Sequence, residues 1–186
     1  METRTPETTE TKDKKKTMAA EIFDWVRTLA IALVAALLLR TFVFSMVRVD
    51  GDSMLETLQD GDIMFVTMFD RFLGDFDRGE VVICNYPNAK GYRVKRVVAL
   101  PGETIEIIDK QTYINGELLQ EEYVEHLPMT DYGPVTLEED EYFLMGDNRT
   151  YSKDSRSRDV GPIVREEIHG VVRAVVFPFD SIRGVH

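Results

Sequence analysis

The sequence predicts a mainly β, antiparallel domain of sheet or barrel type, preceded by one N-terminal transmembrane helix. Three observations predict it. Short runs rich in Val, Ile, Tyr and Phe recur beyond residue 80 with turn residues between them. No helical pattern of comparable length appears after residue 50. One uninterrupted apolar run, Leu29–Leu39, stands near the start of the chain.

The chain of 186 residues suits one domain of ordinary size plus an appendage. Its net charge of −11 opposes general binding to nucleic acid, which needs a basic face to meet phosphates. A single cysteine, Cys84, excludes an intrachain disulfide and a cysteine-based zinc cluster, and its setting "EVVICN" reads as an inert strand position. Neither a cofactor nor a metal is expected.

Residues 1–20, "METRTPETTETKDKKKTMAA", have almost nothing to bury, which predicts a disordered cytoplasmic tail. The composition changes at Trp25. Eleven apolar residues are too few to cross a bilayer, which needs about 20. With Arg27 and Arg40 snorkelling to opposite interfaces, roughly Val26–Val47 spans, so the anchor is placed at 21–47. A cleaved signal peptide would share the basic start and short apolar run. A surface amphipathic helix would not be apolar all round, as residues 29–39 are. Lys12, Lys14, Lys15, Lys16 and Arg27 favour a cytoplasmic N-terminus, which puts residues 48–186 outside the cell membrane.

Beyond the anchor the runs are "EVVICNY" (80–86), then "YRVKRVVAL" (92–100) after a turn on Pro87, Asn88 and Gly91. "TIEII" and "TYI" follow. Asn115-Gly116 predicts a type I′ hairpin into "ELL". "EYFLM" (141–145) and "VVRAVVF" (171–177) complete the set. The run "IMFVTMFDRFL" (63–73) reads either as plain core or as a strand with a membrane-facing side.

Three segments hold residues capable of chemistry. Ser53 lies in "VDGDSMLETLQDGD", where an ordinary turn serine and a nucleophile are both consistent with the residues. Ser-x-x-Lys chemistry is excluded, since Glu56 stands at the lysine position. His126, His169 and His186 carry no triad signature. In "YRVKRVVAL" the two-residue period puts Lys95 with Val97 and Ala99 and puts Arg96 with Val94 and Val98. Either both cations are solvated, or one points inward; a buried lysine loses hydration of its charged form and becomes a general base near neutral pH. The loop "MGDNRTYSKDSRSRDVG" (145–161) alternates Asp and Arg, either as a solvated loop or as paired charges.

Together, "GDSMLETL" (51–58), "YRVKRVVALPGE" (92–103) and "GDNRTYSKDSR" (146–156) resemble the type I signal peptidases, membrane-anchored serine proteases with a Ser-Lys dyad, over roughly residues 21–178. The single anchor and Gly51 are similar to the Gram-positive branch. The resemblance implies Ser53 as nucleophile and Lys95 as general base, with Ser152 orienting the lysine amine and Asp154 pairing with Arg156 to support the loop. It implies Val49, Met54 and Leu58 as substrate-pocket residues, exported preproteins and membrane lipid as partners, and cleavage after small residues of Ala-x-Ala type. The backbone N–H of Ser53 would hold the oxyanion. One departure is Glu56, where the family usually has proline. A non-catalytic relative acting in pilus or surface-protein assembly would typically lack the lysine. A self-cleaving repressor would need an N-terminal helix-turn-helix, and a tethered binding module would leave Ser53 as a mere turn residue.

Overall fold

The computed structural model of the chain describes residues 10–87, 89–124 and 130–186. They fall into two units, Met1–Phe42 and Val43–His186. The first is a helix, α1 (Glu10–Phe42), built largely of Ala, Leu, Lys and Glu, which are good helix formers. Within it Thr28 Oγ1 donates to the Asp24 carbonyl (2.8 Å) and Arg27 pairs with Asp24 (3.6 Å). Trp25, Leu29, Ile31 and Leu33 are exposed.

The expected boundaries shift. Residues 10–20 are helical, while residues 1–9 of the anticipated disordered tail lie outside the described residues. The anchor expected at 21–47 loses its end, because Phe44–Val47 belong to a strand of the second unit. Among the described residues no helix is long and apolar enough to cross a membrane. Glu21, Asp24 and Arg27 precede the short apolar run and Arg40 closes it.

The described residues of the second unit form twelve strands. They are β1 (Phe44–Arg48), β2 (Ile63–Thr67), β3 (Val81–Tyr86), β4 (Ala89–Ala99), β5 (Thr104–Ile108), β6 (Gln111–Ile114), β7 (Glu117–Leu118), β8 (Tyr132–Thr136), β9 (Glu141–Met145), β10 (Ile163–Val164), β11 (Ile168–Phe177) and β12 (Arg183–Gly184). All pairings between them are antiparallel. The larger sheet runs β1-β2-β11-β3-β4-β9-β10, with β12 also on β11, and the smaller runs β7-β6-β5-β8. Asn115 and Gly116 both have positive φ (53° and 83°), as a type I′ turn between β6 and β7 requires. Strand β8 carries Gly133 and Pro134 and sits at a sheet edge, where a missing N–H costs no ladder bond.

Strand β3 is buried on both faces. Val82 and Cys84 join one cluster with Val97, Leu144 and Val171, while Val81 and Ile83 join a second with Met64, Val66 and Val175. A third cluster joins Val98, Phe143 and Met145 of the larger sheet to Ile105, Ile107 and Ile114 of the smaller. The pairs Val82↔Lys95 and Val81↔Arg96 therefore send the two adjacent cations of β4 into opposite buried faces. At the β1–β2 side the sheet leaves Phe44, Met46, Phe72, Leu73 and Phe179 exposed.

Leu58, expected to line a substrate pocket, is a core residue with no exposed surface. The turn bond from Leu58 N to Met54 O (2.8 Å) tucks it in among the second cluster. Leu58→Ala is expected to lower the unfolding free energy by about 2–5 kcal/mol in denaturant titrations. The KM for a peptide substrate of the folded variant should stay near wild type.

Candidate active site

Ser53 lies on the irregular turn that joins β1 to β2. The turn is closed at its base by Val49 N to Asp62 O (2.8 Å) and Gly61 N to Val49 O (3.1 Å). At its tip Gly51 N donates to Asp60 Oδ1 (2.9 Å), with Gly51 at φ +94°, a conformation that favours glycine. Met54 and Leu58 plug the turn into the core, which leaves Ser53 half-buried at its outer rim and Glu56 exposed. The Leu55–Glu56 peptide bond is cis.

The side chain of Lys95 reaches this turn from β4. Its Nζ is hydrogen-bonded to Ser53 Oγ (2.7 Å) and donates to the Val94 carbonyl (2.8 Å). Lys95 is only 2% exposed. Burial lowers its pKa; Cys84 and Asp154 pull the other way, and Arg93 adds a smaller lowering. In the neutral form the Val94 carbonyl takes an amine hydrogen, which leaves the nitrogen lone pair for the serine proton.

The residues after β9 hold both partners. Asn148 N donates to Ser53 O (3.1 Å) and its Nδ2 donates to Asp52 O (3.1 Å), so one asparagine grips two consecutive carbonyls of the nucleophile turn. Asp147 accepts from Arg96 Nε (2.9 Å), Arg96 Nη2 (2.7 Å) and Thr57 Oγ1 (2.5 Å). Arg96 also donates through Nη1 to the carbonyls of Gly79 (2.6 Å) and His186 (2.7 Å). Asp154, fully buried, accepts from Gly146 N (3.1 Å) and pairs with Arg156 through Nε and Nη2, each at 2.8 Å. Arg149 forks onto Glu121 (2.8 and 2.5 Å) and fastens the loop to the segment beyond β7.

Two clefts meet at the Ser53–Lys95 pair. One, of about 360 Å³, is lined by Asp50, Asp52, Tyr86 and Tyr151 as well as the pair. The other, of about 320 Å³, has an apolar side formed by Val47, Val49, Met54 and Val94. Ser53 and Lys95 set a hydroxyl against a buried amine whose charged form is disfavoured, where the two clefts meet. A hydroxyl beside such an amine is suited to nucleophilic chemistry.

The family model described as "Signal peptidase, peptidase S26" matches residues 22–177. The chain belongs to this family. Similar relatives include Signal peptidase I P of Bacillus subtilis subsp. natto, 40% identical, with 92% of this chain and 97% of that protein covered. Signal peptidase I S of Bacillus subtilis strain 168 is 39% identical, with 87% and 92% covered. A crystal structure of a signal peptidase I from Enterococcus faecalis is 29% identical, covers 53% of this chain and 97% of that one, and superposes with a TM-score of 0.47.

In this peptidase Ser53, Lys95, Asp154 and Arg156 converge, and Val49 and Met54 line the apolar cleft. Leu58 does not reach it. Ser152 lies against Gly146 and the Ser53 carbonyl, yet its buried hydroxyl has no hydrogen-bond partner among the described residues. In this structure the lysine amine is oriented by the Val94 carbonyl instead. His126 lies outside the described residues. His169 bonds to Asn85 (2.7 Å) and packs on Tyr92, and Cys84 is a buried thiol pushed up to about 12 by desolvation.

Sequence reasoning missed Asp147, Asn148 and Thr57 as supports, and it expected only one of the adjacent cations to face inward. Both are buried, Arg96 at 1% exposure. The available signal was the buried character of β3, which gives its neighbour two covered faces.

The unfolded chain holds its Lys95 proton up to about pH 10.4. The folded peptidase releases it at a lower pH, so the unfolded state binds more protons in between and stability rises with pH across that window. Lys95→Met should abolish this slope, as measured by denaturation midpoints from pH 7 to 10. A Cβ at Gly146 would run into both the Ser152 hydroxyl and the Ser53 carbonyl. Gly146→Ala should therefore cut kcat by at least about tenfold, because a small misplacement of a nucleophile is costly.

Proposed function

We propose that this peptidase removes N-terminal signal peptides from exported preproteins, cutting after small residues of Ala-x-Ala type through a Ser53–Lys95 dyad. The observation that carries the mechanism is the 2.7 Å approach of Lys95 Nζ to Ser53 Oγ on a lysine that burial drives towards its neutral form.

Ser53 Oγ attacks the carbonyl at the cleavage site as Lys95 takes its proton. The resulting ammonium then protonates the leaving amine, and the same neutral amine later activates the water that hydrolyses the acyl-enzyme. The Ser53 N–H, which has no acceptor among the described residues, faces the developing oxyanion together with other donors of the turn. Ser152 is a further orienting group: its unpartnered hydroxyl is available to the amine once Lys95 is protonated and shifts from Ser53. Asp154 and Arg156 keep the Ser152 turn closed. Val49 and Met54 bound shallow subsites that accept an alanine methyl and exclude larger side chains.

Although no described helix is long and apolar enough to cross a membrane, the apolar run of α1 flanked by Arg27 and Arg40 supports a membrane anchor, with the basic N-terminal segment cytoplasmic and the β domain outside. The exposed aromatic group at the β1–β2 side supports contact with lipid: Phe44 lies against Phe65 (5.3 Å) and Phe177 against Phe179 (5.4 Å), with Phe179 at 79% exposure. An active site near the bilayer would meet its substrate where signal peptides emerge.

Membranes containing the protein should cleave a precursor bearing Ala-x-Ala before the mature chain, whereas Ser53→Ala and Lys95→Ala should each lose at least about a thousandfold in kcat. Cys84→Ala and His169→Ala should process normally. Processing by Lys95→Ala at the wild-type rate would sink the mechanism. The kcat/KM should rise with pH through the depressed pKa of Lys95, since only the unprotonated amine accepts the serine proton.

A further inference from the structure

We infer that Arg93 is a positioning residue for the reaction, a fixed positive charge at the lip of the cleft that keeps the Lys95 amine unprotonated. The inference rests on the Ser53–Lys95 reading above. It goes beyond that reading by assigning part of the lysine's activation to a neighbour that does not touch substrate.

The placement comes from the register of β4. Arg93 pairs with Cys84 and Lys95 with Val82, so both cations project to the same side of the strand, two residues apart. Both line the two clefts that meet at Ser53. Arg93 borders both clefts and has no counter-ion among the described residues; Arg48, also without one, borders only the second cleft, from β1. Arg96, Arg149, Arg156 and Arg183 are each paired with a carboxylate, while the Nη1 of Arg93 donates only to the carbonyls of Tyr92 (3.1 Å) and Gly91 (3.5 Å), with no carboxylate partner among the described residues. Carbonyl contacts hold the guanidinium in place but leave its charge unneutralised.

Arg48 adds positive charge at the second cleft only, and the remaining groups facing Lys95 do not provide this push. From β3 come Cys84 and Tyr86, both shifted upward by burial and uncharged at neutral pH. From the loop after β9 come Asp147 and Asp154, whose charges favour the protonated amine but are spent on Arg96 and Arg156. Lys153 is paired with Asp159, and Asp50 and Asp52 are exposed on the nucleophile turn, where water screens them. A nearby unpaired cation disfavours a second positive charge. Protonating Lys95 therefore costs more with Arg93 in place.

The test measures kcat/KM from pH 6 to 11 on an uncharged peptide carrying Ala-x-Ala, at low salt, for wild type, Arg93→Lys, Arg93→Gln and Arg93→Glu. Arg93→Gln should move the acid limb to higher pH, with activity down about threefold at pH 7 and equal to wild type on the alkaline plateau, the scale expected for charges on residues two apart along a strand, a backbone spacing of about 7 Å, in a partly solvated cleft. Arg93→Glu should move it further. Arg93→Lys should restore the wild-type limb, and salt should shrink the difference between wild type and Arg93→Gln.

An unmoved acid limb in Arg93→Gln and Arg93→Glu overturns the inference. A rise in KM at every pH without a shift of the limb also overturns it, by making Arg93 a substrate contact. If Arg93→Gln does not fold, Arg93→Lys against Arg93→Glu gives the same comparison. Failure of the dyad reading is separable, because it would appear as retained activity in Lys95→Ala whatever the Arg93 variants do.

Discussion

The site depends on one buried ion pair. Arg96 and Asp147 meet through two hydrogen bonds (2.9 and 2.7 Å) with almost no exposure on either side chain. The remaining donors of the guanidinium reach Gly79, His186 and Thr57, so all its hydrogen-bonding capacity is used inside the protein. A pair of this kind is poor evidence for net stability, since desolvating two charges offsets much of their attraction. What it contributes is register. Side chains alternate along a strand, so fixing Arg96 towards Asp147 obliges Lys95 to face the opposite side, where Ser53 stands.

From that constraint the electrostatics follow. Lys95 enters a face covered by Val82, Cys84 and Val97, where its charged form is poorly solvated and its pKa is lowered. The carboxylates that could return it to the ammonium form are occupied by arginines, Asp147 by Arg96 and Asp154 by Arg156. The architecture thus separates two demands that conflict in a small volume. It needs acidic side chains to build a tight loop around the nucleophile, and it needs an amine beside them that stays neutral. Pairing every buried acid with a guanidinium meets both.

Much of this was legible in the sequence. Strands β5 and β9 fall where alternation and β-branched residues put them, and Asn115-Gly116 marks its hairpin by the one chemistry that tolerates two positive φ angles. Ser53 and Lys95, which the fold brings within 2.7 Å of each other, were singled out from three short segments read jointly. Strand β1 was hidden because Phe42–Val47 remain mostly apolar after Arg40 and read as the end of the helix, and only pairing with β2 decides where the helix stops. Strand β8 was hidden by its Gly-Pro pair, which marks a turn unless a sheet edge is available. Leu58 was misplaced because a pocket residue and a core residue read alike in an irregular turn. The roles of Asn148 and Thr57 depend on contacts across more than thirty residues of chain, which no local pattern encodes.

The grip of Asn148 on Asp52 and Ser53 also has a temporal side. Ser53 leaves the ribosome early in synthesis, and the asparagine that fixes its carbonyl is made 95 residues later. Until that loop, β9 and the partner strand β11 have all been threaded out and folded, the serine sits on an unsupported segment with no lysine held against it. Hydrolytic capacity therefore switches on with the last third of the chain rather than growing as the chain lengthens. The nucleophile turn thus reaches its final geometry only after residues far downstream have folded against it.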